Sequence, residues 1–269
     1  MAKTILITGC SMGGIGDALA QSLAGQGHHV FVTARDTSRI SPELRSLFNV
    51  SILTLDVSSA VSIADAAEAV RQTGRGLDVL VNNAGVGYTV PVLDLDVEKA
   101  KRLYEVNVWG PVRMIQAFSD LIIASQGRIV NVSSVGAVIN TPWIAPYASS
   151  KAALNNISET LRLELYPLGV SVVTINIGTI ATSFHANEPT PELPPTSHYT
   201  NTLDTIKKWA NGQAGLRSGT ATDLVHSLLS DVLDDGRNGI IWRGPYSSSV
   251  RLISWLMPTW LLAGLNPLT

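Results

Sequence analysis

The sequence predicts an α/β fold, one doubly wound parallel sheet of seven strands with helices on both faces, and three observations carry that prediction. Short apolar, β-branched runs recur at about residues 4–8, 29–34, 51–55, 77–81, 129–132, 170–175 and 239–243. Segments with helical spacing of apolar residues lie between them, the pattern of strands joined by crossover helices. The first run passes directly into a glycine-rich turn, Gly9-Cys10-Ser11-Met12-Gly13-Gly14-Ile15-Gly16, which opens a helical pattern at Ala18, Leu19 and Leu23. With 269 residues, 45% of them hydrophobic, and no break in composition, the chain reads as a single domain over residues 1–269.

A strand feeding a glycine turn at the start of a helix makes an anion site. Backbone N–H groups and the helix dipole face the phosphate, and glycines permit close approach. Gly9, Ser11, Gly14, Ile15 and Gly16 are the residues expected to form it. The second run ends in Ala34 and Arg35, followed by Asp36. A carboxylate at the end of this strand bonds ribose hydroxyls, whereas an arginine accommodates a 2′-phosphate. Arg35, with Arg39 and Ser11 as further contacts, therefore predicts NADP(H); the alternative is that Arg35 and Asp36 form a solvated turn. The third run leads into Asp56-Val57, and Ser58 and Ser59 supply an N-cap for a helix with Val61, Ala64, Ala67 and Val70 on its apolar side. The fourth enters Asn82-Asn83-Ala84-Gly85. Residues 97–124 read as one long amphipathic helix, in which Asn107, with Trp109 and Pro111 beyond it, predicts a local distortion because asparagine competes for backbone hydrogen bonds.

The chemistry is expected between Arg128 and Lys151. The fifth run, Ile129 to Val132, breaks into Ser133-Ser134-Val135-Gly136, which places small hydroxyl side chains at the carboxyl edge of the sheet, where open α/β folds bind ligands. Tyr147 and Lys151 stand four apart at the start of a helical pattern, Ala152, Leu154, Ile157, Leu161 and Leu165, and so share a face. A phenol has an unperturbed pKa of about 10. An ammonium one turn away favours the phenolate and brings the group toward the range useful for acid/base work. Ser134 is placed to hold the oxygen of a carbonyl or alcohol while Tyr147 passes the proton.

These motifs resemble those of the short-chain dehydrogenase/reductase family over nearly the whole chain. The resemblance implies a Rossmann fold and a tetrad of Asn107, Ser134, Tyr147 and Lys151. It further implies that Asp56, with Val57, meets the adenine; that Asn83, Ala84 and Gly85 lie along the adenosine ribose; and that Gly178, Ile180 and Thr182 hold the nicotinamide carboxamide and diphosphate. Tyr147 and Lys151 would also bind the nicotinamide ribose, and Asn107 would hold a water in a proton relay. Two departures stand out: the glycine loop carries one extra residue between Gly9 and Gly14, and Ile177 stands where members usually carry proline. Members commonly form dimers or tetramers through the two long helices holding Asn107 and Lys151. The loop, the segment Leu193-Pro194-Pro195-Thr196-Ser197-His198-Tyr199 and the apolar C-terminal tail look most like the fungal branch containing acyl-dihydroxyacetone-phosphate reductase.

The expected activity is an NADPH-dependent ketoreductase or alcohol dehydrogenase acting on a hydrophobic ketone or secondary alcohol. A non-redox cyclase or isomerase on the same scaffold, and a cofactor-sensing binding protein, are the alternatives. Residues 183–215, rich in proline and with a short helical pattern at 199–209, are expected to cover the substrate. His185 and His198 within it read as loop histidines. The tail, residues 247–269, is apolar but broken by Pro258 and too short to span a bilayer. It would lie on a membrane surface, cover the pocket or pack against another subunit.

Composition closes off other classes. A net charge of -2 with scattered Lys and Arg gives no footprint for nucleic acid. Cys10, the single cysteine, forms no intramolecular disulfide and suits a reducing compartment. No His, Cys or carboxylate cluster has metal-ligand spacing. The apolar run after Met1 is too short for a signal peptide, so a cytoplasmic protein is expected, with an intracellular membrane or lipid droplet as a peripheral site for the tail.

Overall fold

The computed structural model describes residues 1–213, 218–234 and 236–256. In chain order the main elements are β1 (Thr4–Ile7), α1 (Ile15–Gly25), β2 (His29–Ala34), α2 (Pro42–Arg45), β3 (Val50–Thr54), α3 (Ala60–Gln72), β4 (Val79–Asn82) and α4 (Val97–Tyr104). A turn of π-helix, Glu105–Trp109, joins α4 to α5 (Gly110–Ala124). Then follow β5 (Arg128–Ser134), α6 (Ala145–Leu165), β6 (Ser171–Ile177), β7 (Ile180–Ala181), α7 (Leu203–Ala210), β8 (Gly219–Thr220), α8 (Ala221–Leu233), β9 (Gly239–Arg243) and α9 (Ser247–Leu256).

Seven strands form one parallel sheet in the order β3-β2-β1-β4-β5-β6-β9. Alternate side chains along each strand feed two cores. Ile5, Ile7, Val79, Val81, Val130 and Val173 pack against α1, α2 and α8. Leu6, Phe31, Leu80, Ile129 and Val172 pack against α3 and α5, with Leu161 and Leu165 of α6 at the margin. Strands buried on both faces read as continuous apolar runs, which is why the sequence shows them so plainly. The direction of winding reverses between β1 and β4, and this opens a crevice at the carboxyl ends of the strands.

Helix starts follow local chemistry. The Ser59 hydroxyl accepts from Ser62 N at 3.3 Å to cap α3, Asp96 caps α4 through Glu98 N and Lys99 N, and Thr220 caps α8 through Asp223 N. Pro146 stands in the first turn of α6, where a missing N–H costs nothing, and Pro111 follows directly on the π-helical turn. The expected distortion of the long helix is the π-helical turn around Asn107. The first, third, fourth, fifth and sixth strands differ from expectation at their ends by one or two residues. Thus β6 runs on through Asn176 and Ile177 because both pair with β9, opposite Trp242 and Arg243. The short pair β7 and β8, Ile180 opposite Gly219 and Ala181 opposite Thr220, carries no sequence pattern that announces it.

Polar groups fix the register of the layers. Within the sheet, Asn82 Nδ2 donates to Asn131 Oδ1 at 2.9 Å; between the sheet and α6, Asn131 Nδ2 donates to Ser158 Oγ at 2.8 Å and Asn155 Nδ2 to Asn176 Oδ1 at 3.1 Å. At the far edge, the fully buried Asp231 of α8 receives Arg243 of β9 in two hydrogen bonds, at 2.7 and 2.9 Å, and also pairs with Arg237. The Arg128 guanidinium, buried in β5, donates to the Asp231 carbonyl at 3.2 Å. One carboxylate thus ties α8 to the last strand.

Beyond that strand, α9 turns Val250 inward and leaves Leu252, Trp255 and Leu256 exposed. The rest of the apolar tail, 257–269, lies outside the described residues. Among the described residues no helix is long and apolar enough to cross a membrane.

Replacing Asp231 with Ala should lower unfolding stability by about 2–3 kcal/mol, the low end for breaking a buried pair because both arginines reach water. Urea titration should show a lower midpoint at unchanged slope; an unchanged midpoint would contradict the anchoring role.

Candidate active site

The crevice between β1 and β4 is held open by one interlock. The Thr8 hydroxyl accepts from Asn83 N at 3.0 Å and Ala84 N at 2.9 Å, while Asn83 Nδ2 donates back to the carbonyls of Thr8 and Gly9 at 2.8 and 3.1 Å. The glycines of the loop are dictated by this closeness. Gly9 has φ +74°, and a Cβ there would come 2.9 Å from Ala84 Cα. A Cβ on Gly16 would lie 2.5 Å from Asn83 Nδ2. The start of α1 at Gly14 carries no side-chain cap, so its first N–H groups face the crevice as an anion site. The loop itself is braced from behind, where Gly13 N donates to the buried Asp17 carboxylate at 3.0 Å.

A cavity of about 390 Å³ runs from this loop to the middle of the sheet edge. Its wall contains every residue expected to hold a dinucleotide except Gly16: Gly9, Ser11, Gly14, Ile15, Arg35, Asp56, Val57, Asn83, Ala84, Gly85, Tyr147, Lys151, Gly178, Ile180 and Thr182. Gly16 stands behind the loop, and its part is to let α1 approach Asn83. At one end Arg35 and Arg39 line the wall. Asp36 does not; its carboxylate is used to cap the next turn, accepting from Ser38 N at 2.9 Å. The Asp56 carboxylate is oriented by Ser58, whose N–H and hydroxyl donate at 2.9 and 2.6 Å. Gly178 has no room for a side chain, since a Cβ would fall 1.7 Å from the Pro245 carbonyl. The geometry fits a dinucleotide at each of these points: a bare helix start for phosphates, a carboxylate for an adenine or ribose donor, and a basic mouth.

At the other end the wall holds Ser134, Tyr147 and Lys151. Burial pushes the Tyr147 phenol up to about 12; the Ser134 hydroxyl opposes that shift and the Glu188 carboxylate adds to it. Burial also lowers the Lys151 ammonium to about 8. This corrects the expectation that Lys151 draws the phenol down. Although the two side chains share a helix face, Lys151 Nζ donates to the Val132 carbonyl at 2.9 Å and stays 5.9 Å from the centre of the tyrosine ring. In the site as it stands, burial is the largest cause of both shifts.

Asn107 is fully buried outside the cavity wall. Its side chain pairs in both directions with Val86, accepting from N and donating to O at 2.9 Å each, and also donates to Ser150 Oγ at 3.1 Å. It therefore joins the loop after β4 to α6 behind Lys151.

The segment after β6 closes the cavity. Ser183 N donates to Gly13 O at 3.2 Å, and Phe184 meets Tyr147 edge to face with ring centres 5.7 Å apart. Trp209 of α7 packs on Trp143 at 6.3 Å. Sequence reasoning missed Thr8, whose hydroxyl looks like an ordinary strand end, and it missed Glu188 and Thr89. The Thr89 hydroxyl donates to Glu188 at 2.9 Å across 99 positions of sequence. His185, expected to be a plain loop residue, lines the cavity beside Glu188.

Comparison with known proteins agrees with this architecture. Residues 3–192 match the family model for short chain dehydrogenase. A short-chain dehydrogenase of Penicillium ochrochloron is 44% identical over 261 residues, covering 96% of this chain and 94% of the relative. An NADPH-dependent 1-acyldihydroxyacetone phosphate reductase of Schizosaccharomyces pombe is 40% identical over 185 residues, covering 68% of this chain and 62% of the relative. Among solved structures, a short-chain dehydrogenase from Streptomyces avermitilis superposes with TM-score 0.83 at 25% identity, over 98% of this chain and 94% of that one. A short chain dehydrogenase from Burkholderia cenocepacia in complex with NADP does so with TM-score 0.78 at 25% identity, over 98% and 97%. A Rossmann sheet with the Gly9–Gly16 loop at its switch point and a family match through residue 192 place the chain in the short-chain dehydrogenase family, NAD(P)-dependent oxidoreductases acting on CH–OH groups.

Proposed function

We propose that this protein is an NADPH-dependent ketoreductase for hydrophobic ketones, with Tyr147 as the general acid. The observation that carries the reading is a single cavity running from Arg35 and Asp56 to Ser134, Tyr147 and Lys151. Arg35 and Arg39 on the wall, with Asp36 committed to its own turn, favour a 2′-phosphate over bare ribose hydroxyls. The S. pombe relative named as NADPH-dependent and the NADP complex of the B. cenocepacia protein point the same way.

The loop N–H groups and the start of α1 would hold the diphosphate, Asp56 the adenine, and Lys151 the nicotinamide ribose. The bound cofactor supplies the hydride in reduction and accepts it in the reverse direction. The chain supplies the rest. Ser134 donates to the substrate oxygen, where negative charge develops, and Tyr147 delivers the proton to it. A phenol near 12 is fully protonated at neutral pH, which suits the donor role in reduction. Lys151 near 8 is still largely charged there, which suits its place on the nicotinamide ribose. Asn107 is a positioning residue: its paired bonds to Val86 and Ser150 set the loop and helix that flank Lys151.

The substrate end is walled by Val135, Ile139, Ile144, Phe184 and Trp209, which suits an apolar ketone. Residues 183–213, tied to the glycine loop and to Tyr147, act as the lid. Exposed Leu163 on α6, Trp109 at the end of the π-helical turn and Tyr166 just past α6 suit association into a dimer or tetramer.

Tyr147→Phe should lower turnover on the order of 10³-fold, a typical share for general acid catalysis, while NADPH binding measured by fluorescence changes little. Undiminished turnover would remove Tyr147 from its role. Arg35→Ala should weaken NADPH by roughly 10- to 100-fold, the worth of a charge-assisted phosphate contact, and leave NADH unaffected. Equal loss for both would mean that Arg35 does not read the 2′-phosphate. An ammonium with a lowered pKa loses its charge above about 8, so kcat/KM for NADPH should fall above that pH. Lys151→Arg should move that limb upward, and a limb that stays in place would belong to another group.

A further inference from the structure

The cavity contains a charged group that the proposed reduction does not use. Glu188 lines it with a side chain only 4% exposed. Thr89 Oγ1 donates to Oε2 at 2.9 Å, and His185 Nδ1 lies 3.1 Å from Oε1. The same Nδ1 lies 3.1 Å from the Ala210 carbonyl. Both neighbours of Nδ1 are acceptors, so that nitrogen carries the hydrogen and the ring is oriented by it.

Two glycines make room for this arrangement. A Cβ on Gly87 would fall 2.2 Å from Glu188 Oε1, and one on Gly212, at φ +70°, would fall 2.7 Å from His185 Cδ2. Three separate segments therefore shape a place for one carboxylate. A carboxylate has about four acceptor positions, of which Thr89 and His185 occupy two. Among the described residues no Lys or Arg pairs with it, and the contact with His185 is a hydrogen bond. Taking such a charge out of water costs several kcal/mol, and the acceptor positions left on a carboxylate that lines the cavity call for a donor.

We propose that Glu188, held by Thr89 and His185, selects the substrate: an apolar ketone that also bears a hydroxyl group, which donates to Glu188 while its carbonyl faces Ser134 and Tyr147. This rests on the reductase reading above. The same charge turns away ketones with a carboxylate at that position, because two buried like charges repel.

The test uses acetylnaphthalene, its hydroxy positional isomers, their methyl ethers and a carboxylated analogue. The readout is the ratio of kcat/KM for each hydroxyketone to that of its ether. Wild type should favour its best hydroxyketone by roughly 10- to 100-fold, the range for a hydrogen bond to a charged acceptor. Glu188→Ala should bring the ratio toward one, and Glu188→Gln should lower it and improve the carboxylated ketone. A ratio near one in wild type for every isomer, or a preference unchanged in both variants, overturns the proposal. If wild type oxidises NADPH with none of these ketones, the reductase reading fails, and binding decides the rest. Quenching of tryptophan fluorescence, to which Trp209 on the cavity wall contributes, should then still show hydroxyketones binding wild type more tightly than Glu188→Ala; equal affinities overturn the subsite as well.

Discussion

The mutual hydrogen bonding of Thr8 with Asn83 and Ala84 is the constraint on which the rest of the site depends. It fastens the ends of β1 and β4 just where the winding of the sheet reverses, so their following loops diverge over an open crevice. Because Asn83 also bonds the Gly9 carbonyl, the glycine loop inherits its position from the sheet. Gly9 and Gly16 follow from that closeness, since neither has space for a Cβ. The start of α1 is left uncapped toward the cavity as a result.

Burial sets the electrostatics at the other end. Both Tyr147 and Lys151 are pushed toward their neutral forms, and the lysine is engaged with a backbone carbonyl of β5. A site in this condition holds its proton on the phenol, and acceptors brought by a cofactor would help to hold the charge on the ammonium. The Glu188 carboxylate adds to the upward shift of Tyr147, so the lid contributes to the electrostatics of the site as well as to its shape.

Much of this was legible in the sequence because the responsible signals are local. Continuous apolar runs mark the strands, the glycine loop follows β1 directly, and Tyr147 and Lys151 lie one helical turn apart. Asn107 announced the π-helical turn through its poor fit to a helix interior. What escaped was set by distant pairings. Glu188 sits among prolines in a polar stretch and becomes a cavity residue only through Thr89, while β7 finds β8 across the lid. Nor does sequence spacing tell where a long side chain ends: Lys151 is on the same face as Tyr147, yet its ammonium turns to Val132. The fate of the apolar tail beyond Leu256 lies outside the described residues.

The central claim is that the cavity brings a nicotinamide and a ketone together for hydride transfer with a proton from Tyr147. It is tested most directly by a single turnover with NADPH deuterated at the transferable position of the nicotinamide. The account predicts deuterium on the carbinol carbon of the alcohol and a solvent-derived proton on its oxygen. Product carrying only solvent hydrogen at that carbon, or product formed with no oxidation of the cofactor, would contradict it.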